Sequence, residues 1–239
     1  MAQVINTNVA SLFAGSSLNK SAIGLQTAMQ RLSSGLRINS AADDPTGLGI
    51  GVNLNAKVRG ANMAARGAAN AVTEAQTNDG YLAQITENTQ RLREIAVQLG
   101  GTAAGSETTA LVAENTRITA LMNATTSAVV VNTSGGTIAT TGTKLTTSAG
   151  LTVANLDTDL TAINASRARY GADIATFSSV TANLQLESVN LSAQYSRVMD
   201  TDYAIETQNM TRNQILQQAG TAMLAQANQV PNTVLTLLR

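Results

Sequence analysis

The chain has 239 residues, of which 15 are basic and 15 acidic, and it contains neither cysteine nor histidine. These absences exclude disulfides, Cys or His metal sites and every catalytic scheme that depends on a thiol or an imidazole. Aromatic residues amount to 3% and tryptophan is absent, which is typical of a helix bundle rather than of an α/β enzyme. The zero net charge and the lack of a basic block argue against a nucleic-acid-binding protein.

Both ends of the chain have few charged residues. Up to Leu36 the charged residues are Lys20 and Arg31, and none occurs from Asn213 to Leu238. A helix that faces water normally has a charged outer side, so we expect both ends to be covered on several sides. The opening segment lacks the basic and apolar regions of a cleavable secretory signal. No run approaches the roughly 18 apolar residues of a membrane-spanning helix.

A first helix is predicted over residues 5–33. Its apolar residues recur at alternating steps of three and four, which is the period of a helix packed lengthwise against other helices. They form two groups that differ in phase, with Gly15 at the join. The groups are Ile5, Val9 and Leu12, and then Leu18, Ala22, Leu25, Met29, Leu32 and Leu36.

A second helix is predicted over residues 45–99. Gly35 is a candidate C-cap for the first helix, and Asp43 or Asp44 followed by Pro45 indicates the new start. Alanine at many interior positions permits a close neighbour, and the phase is predicted to slip near Gly80. The predicted interior residues are Leu54, Val58, Ala61, Ala65, Ala68, Val72 and Ala75, followed after the slip by Leu82, Ile85, Leu92 and Leu99.

A shorter third helix and a small β region follow. The helix is predicted over residues 106–123. Residues 125–153 are rich in Thr, Ser and Gly, and strand-like stretches at 129–131 and 137–140 predict a small β-hairpin region. The inward residues of the third helix are predicted to be Leu111, Ile118 and Met122.

The longest regular pattern covers residues 156–198. Apolar residues step by alternating four and three over roughly 65 Å of helix, with polar exceptions at Arg167, Thr181 and Ser188. Asp79 takes a similar place in the second helix. Such a length needs other long helices as partners. The apolar positions are Leu156, Leu160, Ile163, Tyr170, Ile174, Phe177, Leu184, Leu191, Tyr195 and Val198.

A last helix is predicted after the segment MDTDYAIE, with a kink or a restart at Pro231. The whole pattern predicts a mainly α fold. We expect an elongated antiparallel helical bundle or coiled coil, with the small β-hairpin region at the distal end and the N- and C-termini side by side. The apolar residues of the last helix are Ile215, Leu216, Ala219, Met223, Ala227, Val230, Val234 and Leu237.

Short motifs indicate no catalytic, cofactor or metal site. The segment 135–144 lacks the spacing of a phosphate-binding loop. Gly47, Gly49 and Gly51 follow no predicted strand, so they do not form a dinucleotide fingerprint, and close helix contact explains them. The acidic groups lack the spacing of a calcium loop and are interpreted as helix caps and solvated turns. These groups are Asp43 with Asp44, and Asp200 with Asp202 and Glu206.

Two long stretches of the sequence resemble bacterial flagellins. The N-terminal region of that family is similar to VINTNVASLFAGSSLNKSAIGLQTAMQRLSSGLRINSAADDPTGLGI, and its C-terminal region to SRVMDTDYAIETQNMTRNQILQQAGTAMLAQANQVPNTVLTLLR. Between them, QRLREIAVQ at 90–98 resembles a flagellin motif on the second helix. The similarity is to a short form without variable outer domains, because only residues 125–153 lie outside the matched helical regions.

The resemblance implies a structural subunit that polymerises into the flagellar filament for motility. Residues 1–44 would form the N-terminal filament-core helix and a connecting spoke, and 200–239 the C-terminal filament-core helix. Residues 45–124 and 154–199 would form the outer tube, with 125–153 as its small β or loop region. The implied polymer-core residues are Ile5, Val9, Leu12, Leu18, Leu25, Met29, Leu216, Met223, Val230, Val234 and Leu237.

The resemblance also implies partners and a location. The chain would be exported by the flagellar type III apparatus without a cleavable signal peptide and would end in the extracellular filament. Its partners would be other copies of itself, an export chaperone at the C-terminal helix, and cap and hook-junction proteins; nucleic acid and membrane are not implied. Contacts of a vertebrate innate-immune receptor transfer to Arg91, Ile95 and Glu114. These three residues are otherwise interpreted as a solvated helix face with one core residue.

Two other functions compete with the filament subunit. A hook–filament junction protein has flagellin-like ends, but the continuous match at both termini and the motif at 90–98 favour the subunit. A membrane-active amphipathic helical protein would bind lipid through its ends, yet these ends lack the basic face that such helices use.

Overall fold

A computed structural model of the chain describes residues 7–123, 128–130, 137–139 and 150–237. These residues form mainly helices, so the predicted fold class is confirmed. Within the described ranges, none of the helices has an apolar stretch long enough to span a bilayer. The elements are α1 (Val9–Ser34), α2 (Pro45–Gln98), α3 (Ser106–Asn123), β1 (Ala128–Val130), β2 (Thr137–Ala139), α4 (Val153–Met199) and α5 (Tyr203–Leu237).

The chain divides into two compact units. The first consists of residues 1–54 and 193–239, and the second of residues 55–192. The first unit contains α1 and α5 with the chain ends of α2 and α4 that adjoin them. The second contains α3, the two strands, and the longer parts of α2 and α4.

The small β region has the predicted hairpin. β1 and β2 pair antiparallel, with Val129 opposite Ile138, and β1 begins one residue earlier than predicted. Residues 131–136 and 140–149, which include the ends of both predicted strands, lie outside the described residues. Next to α4, the Ala103 amide donates to the Leu151 carbonyl at 2.9 Å.

In the second unit, α2 and α4 pack antiparallel, and polar side-chain pairs along both helices fix their register. Arg93 of α2 pairs with Asp157 of α4, at one end of the contact. Further along, Arg167 Nε donates to Asp79 Oδ1 at 2.9 Å. The two charged exceptions in the apolar patterns of α2 and α4 are therefore partners of each other. This ion pair also raises the pKa of the Arg167 guanidinium.

The apolar positions predicted for the interior of α4 are buried or half-buried, and the buried ones are spaced seven apart. Asp159, Ser166 and Asp173 are buried as well, and the apolar pattern did not predict these polar interior positions. Phe177 packs against Ala68 and Ala71 of α2, whose small side chains leave room for its ring. The buried residues of the series are Leu156, Ile163, Tyr170, Phe177 and Leu184.

The predicted phase slip of α2 near Gly80 is wrong. The buried residues follow one unbroken alternation of three and four, in which polar residues take two of the positions. Asn78 is 4% exposed, and Thr89 is buried with its hydroxyl donating to the Ile85 carbonyl. A pattern of apolar residues alone is interrupted at these two polar residues, and the interruption gives the false impression of a phase slip. The series is Ala61, Ala64, Ala68, Ala71, Ala75, Asn78, Leu82, Ile85, Thr89, Leu92 and Ala96.

The prediction that Leu99 is an interior residue is also wrong, because its side chain is 56% exposed. α2 ends at Gln98, and Gly100 has a φ of 81°. This left-handed backbone, which glycine adopts readily, turns the chain away before another interior position is reached.

α3 completes the core of the second unit. Ile118 and Met122 are buried in a cluster with residues of α2 and α4, and Leu111 packs against a neighbouring cluster, so the predicted inward residues are confirmed. The amide of Asn88 donates to Asn115 Oδ1 at 2.8 Å between α2 and α3. Both side chains are buried, and this hydrogen bond pairs a donor of Asn88 with the acceptor of Asn115, as buried polar groups require.

Candidate assembly surface

The first unit is organised around an antiparallel pair of α1 and α5. At one end, Asn8 Nδ2 donates to the Ala227 carbonyl at 2.8 Å, and the Ser11 hydroxyl donates to Asn228 Oδ1 at 3.0 Å. At the other end, Arg31 lies 3.7 Å from the Glu206 carboxylate. The two predicted terminal helices therefore lie side by side and run in opposite directions.

The ends of α1 are set by its local sequence. Asn8 Oδ1 accepts from the Ser11 amide at 3.1 Å and caps the helix, so α1 begins at Val9, which corrects the predicted start at residue 5. Residues 1–6, including Ile5, lie outside the described residues. Gly35 has a φ of 71°, and its amide donates to the Arg31 carbonyl, which confirms the predicted C-cap. α1 passes through Gly15 without interruption.

Small residues let α1 and α5 approach closely. Ser21 and Ala28 are buried between the helices. A Cβ atom on Gly24 would lie 2.8 Å from the Asn213 amide nitrogen, and one on Gly220 would lie 3.2 Å from Leu18 Cδ1. A larger residue at either position would therefore require the Asn213 or Leu18 side chain to move.

The beginning and course of α5 differ from the prediction. Asp202 Oδ1 accepts from the amides of Ala204 and Ile205 at 2.9 and 3.2 Å, so α5 begins at Tyr203, before the predicted point after Glu206. α5 also continues past Pro231 to Leu237, which corrects the predicted restart. Proline has a helical φ and removes only one backbone donor, and the rest of a long helix can continue around it.

A short joint links α1 to the ends of α4 and α2 within the first unit. The Arg37 amide donates to the Met199 carbonyl at 2.6 Å, and Arg37 Nη2 donates to the Val198 carbonyl at 2.8 Å. Met199 and Ile38 are buried, and their side chains occupy the space that Cβ atoms on Gly51 and Gly47 would need. This confirms the close helix contact predicted for Gly51, whereas Gly47 is approached by the connecting segment and by its own cap Asp44, and Gly49 has open space around it.

The acidic residues of the first unit cap helices, accept hydrogen bonds within turns, or pair with a cation. Asp44 Oδ1 accepts from the Gly47 amide at 2.9 Å and caps α2 ahead of Pro45, as predicted. Asp43 accepts from the amides of Asn39 and Ser40, and these hydrogen bonds lower the pKa of its carboxyl. Among the residues that the structure describes, no group of three or more carboxylates could hold a metal ion.

Several large apolar side chains of α1 and α5 face solvent in the single chain. Ala227 is buried and Leu18 and Leu25 are half-buried between the two helices, whereas Met29, Leu216 and Met223 of the predicted polymer-core residues are exposed. The side chains of Val230, Val234 and Leu237 lie outside the described residues. The exposed apolar residues of the pair are Val9, Leu12, Phe13, Ile23, Met29, Ile205, Ile215, Leu216 and Met223.

Phe13, Ile23 and Ile205 are not among the predicted polymer-core residues. Phe13 is 75% exposed and Ile23 59%, and neither lies in the register of the apolar series that predicted α1. A second clue was available in the sequence, because Phe13 is one of only two phenylalanines in the chain. Its position in a charge-poor helix marks a side that α5 does not cover.

A groove runs between α1 and α5 on one side of the pair. It has a volume of about 550 Å³ and is lined by residues without charge. Its α1 wall includes Phe13 and Ala14, its α5 wall includes Leu216 and Met223, and Gly220 lies between the helices. Lys20 and Arg212 are exposed on the same two helices but do not line it.

The three residues of the receptor prediction lie in the second unit in different surroundings. Arg91 is about half exposed, and its guanidinium donates to Glu107 at 2.9 Å and to Glu94 at 3.1 Å. Glu114 accepts from Arg117, which lowers the pKa of its carboxyl. Ile95 is 9% exposed and belongs to the core cluster that includes Leu92 and Leu156.

Comparison with known protein families shows to which family a chain with this helix arrangement belongs. Residues 5–135 match the bacterial flagellin N-terminal helical region, and residues 153–238 match the bacterial flagellin C-terminal helical region. The chain belongs to the bacterial flagellin family. This flagellin is a structural subunit of a flagellar filament, which lies outside the cell, and it is not an enzyme. The junction-protein and membrane-active alternatives are not favoured by these matches.

Similar proteins cover the whole chain. This flagellin is 32% identical to the flagellar filament 33 kDa core protein of Treponema phagedenis, with 99% of this chain and 100% of that protein aligned. It is 34% identical to a flagellin of Xenorhabdus nematophila, with both chains fully covered. That alignment extends over 313 positions, against 239 residues here. The relative therefore has internal residues that this shorter flagellin lacks.

Proposed function

We propose that α1 and α5 form the inner coiled-coil tube of the filament and that their exposed apolar residues are the contacts between subunits. The observation that supports this role is the contrast between large apolar side chains and few charges on these two helices. Val9 and Leu12 are each 67% exposed, and Met223 is 63% exposed. Single exposed apolar residues are normal on a protein surface, but many of them on a helix pair with few charges are typical of an interaction site.

The terminal helices are proposed to gain most of their stability on assembly. Ordering one residue of backbone costs about 1–2 kcal/mol. Burial of a Val, Leu, Ile or Met side chain contributes about 1.5–3 kcal/mol, yet α1 and α5 cover only one side of each other. In a filament, neighbouring subunits would cover the remaining sides. Growth then starts with difficulty in free solution and proceeds readily from an existing filament end.

Limited trypsin digestion tests this proposal. The free subunit should be cut early at Arg31, Arg37 and Arg212, while Arg93 and Arg167 in the second unit resist. The trimmed chain should no longer extend seeds, and the same terminal bonds should resist in intact filament. Equal cleavage of terminal and central bonds in the free subunit, or equal protection of the termini in both states, would contradict the proposal.

The central helices are proposed to form the outer tube, with residues 45–124 and 154–199 on either side of the region 125–153. The closed, well-packed core of the second unit supports this role, because its stability does not depend on neighbouring chains. With so short a middle region, the filament is expected to have a smooth and narrow surface. A filament reconstruction with large projections from every subunit would contradict this expectation.

Export through the flagellar type III apparatus, without a cleavable signal peptide, is proposed as the route to the filament. A chaperone would cover α5 beforehand, and cap and hook-junction proteins would contact the filament ends. The apolar exposure of Ile205, Ile215 and Leu216 supports a covering partner. A Leu216→Glu variant should bind the purified chaperone more weakly, whereas Leu186→Glu, an exposed leucine of α4, should bind normally. Equal binding of both variants would place the chaperone elsewhere.

Recognition by a vertebrate innate-immune receptor is proposed for the surface that contains Arg91 and Glu114. The exposure of Arg91 supports a direct contact, while the burial of Ile95 supports a role in holding this part of α2 in place. Arg91→Ala should weaken signalling by the free subunit. Arg93→Ala is a matched control, since Arg93 is also exposed and paired with one carboxylate. Equal signalling by both variants and the unchanged protein would remove the assignment.

A further inference from the structure

Glu74 of α2 has a carboxylate oxygen without a hydrogen-bond donor. The residue is half-buried, and its Oε1 atom is closed off from solvent and accepts no hydrogen bond from the part of the chain that the structure describes. Buried polar atoms in proteins are nearly always paired, and burying an unpaired ionised carboxylate costs far more than burying a neutral one. The neutral, protonated form of Glu74 therefore suits this position better than the ionised form.

Glu74 lies between two apolar clusters of the second unit. Before it in the chain, Ala71 packs with Phe177 in a cluster of α2 and α4 residues. After it, Ala75 belongs to a cluster that also contains Met122, which is the last residue but one of α3. Glu74 is thus at the level where α3 ends and the interior changes from three helices to two.

The titratable groups that face Glu74 from the other helices are acidic. α4 contributes Asp173, which is 7% exposed, and Tyr170, which is 3% exposed. The pKa of the Tyr170 phenol is raised by burial and by the charges of Asp173 and Glu74, so the three groups lie close together. The single cation of α3, Arg117, pairs with Glu114 of the same helix.

The cations of the adjoining turns do not neutralise Glu74. Arg167 of α4 donates to Asp79 of α2 at 2.9 Å, and Arg169 is exposed. Burial raises the pKa of the Glu74 carboxyl, and no cation of the described residues lowers it. This is the behaviour of a carboxyl that desolvation alone controls.

We infer that the contact between α2 and α4 is a proton-sensitive switch and that Glu74 is the group that binds the proton. The folded unit holds this proton more tightly than the unfolded chain does. The resulting stabilisation is complete below the ordinary Glu pKa of about 4.3 and is lost as pH rises through the higher folded-state pKa. At neutral pH the ionised carboxylate weakens the contact at the level where α3 ends, so local opening of α2 from α4 starts there.

Hydrogen exchange of the full-length free subunit, measured by mass spectrometry at about pH 4.5 and about pH 7.5, tests the inference. The measured quantity is the protection of peptides that cover residues 68–78, corrected for the intrinsic pH dependence of exchange. Glu74→Gln keeps the shape of the protonated carboxyl at every pH. Near neutral pH it should be at least about threefold more protected than the unchanged protein, and this ratio should fall towards one at the lower pH.

Glu87→Gln is the matched control, because Glu87 is exposed on the same helix, and its protection ratio should be the same at both pH values. If the glutamine amide destabilises the interior by itself, Glu74→Met supplies the same comparison, since methionine has a similar length and binds no proton. The protection ratio of Glu74→Met should then shift with pH in the same direction. Ratios that stay constant with pH for both Glu74 variants, or a shift of equal size for Glu87→Gln, would overturn the inference.

Discussion

Met223→Ala should separate the assembly role of α5 from the stability of the single chain. The Met223 side chain is 63% exposed, so its truncation leaves most of the intrachain packing in place. Full burial of a methionine side chain stabilises by about 1.5–3 kcal/mol, which leaves roughly 1–2 kcal/mol to be gained in the filament. At about 1.4 kcal/mol per factor of ten, the critical concentration for seeded growth should rise about 5- to 30-fold.

The assay is sedimentation of seeded filaments at a series of subunit concentrations, together with thermal unfolding of the free subunit. Met63→Ala is a matched control, because Met63 is 62% exposed and lies on α2 in the second unit. It should change the critical concentration by less than about twofold, since surface substitutions usually act within about 0.5 kcal/mol. An equal rise for both variants, or no rise for Met223→Ala, would refute the reasoning that places α5 at the subunit contact.

Three further predictions concern the single chain. Asn115→Ala should lower the free energy of unfolding by about 1–3 kcal/mol in urea titrations, because it leaves the buried Asn88 amide without its acceptor, whereas Leu at both positions should cost less. Gly51→Ala should destabilise by about 1–3 kcal/mol through its clash with Met199, and a double-mutant cycle with Met199→Ala should recover part of that loss; additive effects would contradict the contact. The lowered pKa of Asp43 implies a stabilisation that is complete above the ordinary Asp pKa of about 3.9 and disappears as pH falls through the lower folded-state pKa. Asp43→Asn should remove this pH dependence, and an unchanged pH profile of unfolding would contradict it.

Much of the fold could be predicted from local signals. The bounds of α3 agree with the prediction, and α2 ends one residue earlier than predicted. Pro45 after Asp44 and the left-handed Gly35 are signals that act within one turn of helix. They do not depend on what the helix packs against. The same kind of signal sets the start of α5, because Asp202, which belongs to an acidic group interpreted as caps and turns, caps this helix.

The wrong predictions concern residues whose burial depends on how the helices pack, and not on the local sequence. Asn78 and Thr89 occupy interior positions of α2 although both side chains are polar, and the Thr89 hydroxyl donates to the Ile85 carbonyl of α2 itself. A pattern of apolar residues cannot reveal this, so a continuous series was predicted as a slipped one. The pairing of Arg167 with Asp79 has the same origin. Each residue interrupts its own helix pattern, and only the antiparallel register explains both.

The assembly surface was harder to predict because the sequence does not distinguish two kinds of apolar side. Leu18 and Leu25 face α5, whereas Val9 and Leu12 face away from it, and all four belong to periodic apolar groups. The shift of phase between these groups was visible in the sequence and corresponds to two sides of α1. Which side the partner helix covers depends on Ser21 and Ala28, whose small side chains permit the close approach of α5.

The two units differ in the way they hold their helices, and this difference bears on how a filament grows. In the second unit, residues such as Phe177 and Leu82 are fully buried and three helices share one core. In the first, small residues bring α1 and α5 close together, Leu18 and Leu25 are half-buried, and several other large apolar side chains remain exposed. A helix pair of this kind gains little from intrinsic propensity and must be stabilised by packing. If α1 and α5 have the proposed assembly role, neighbouring subunits supply the missing packing, and we expect the two helices to acquire it at the end of a growing filament.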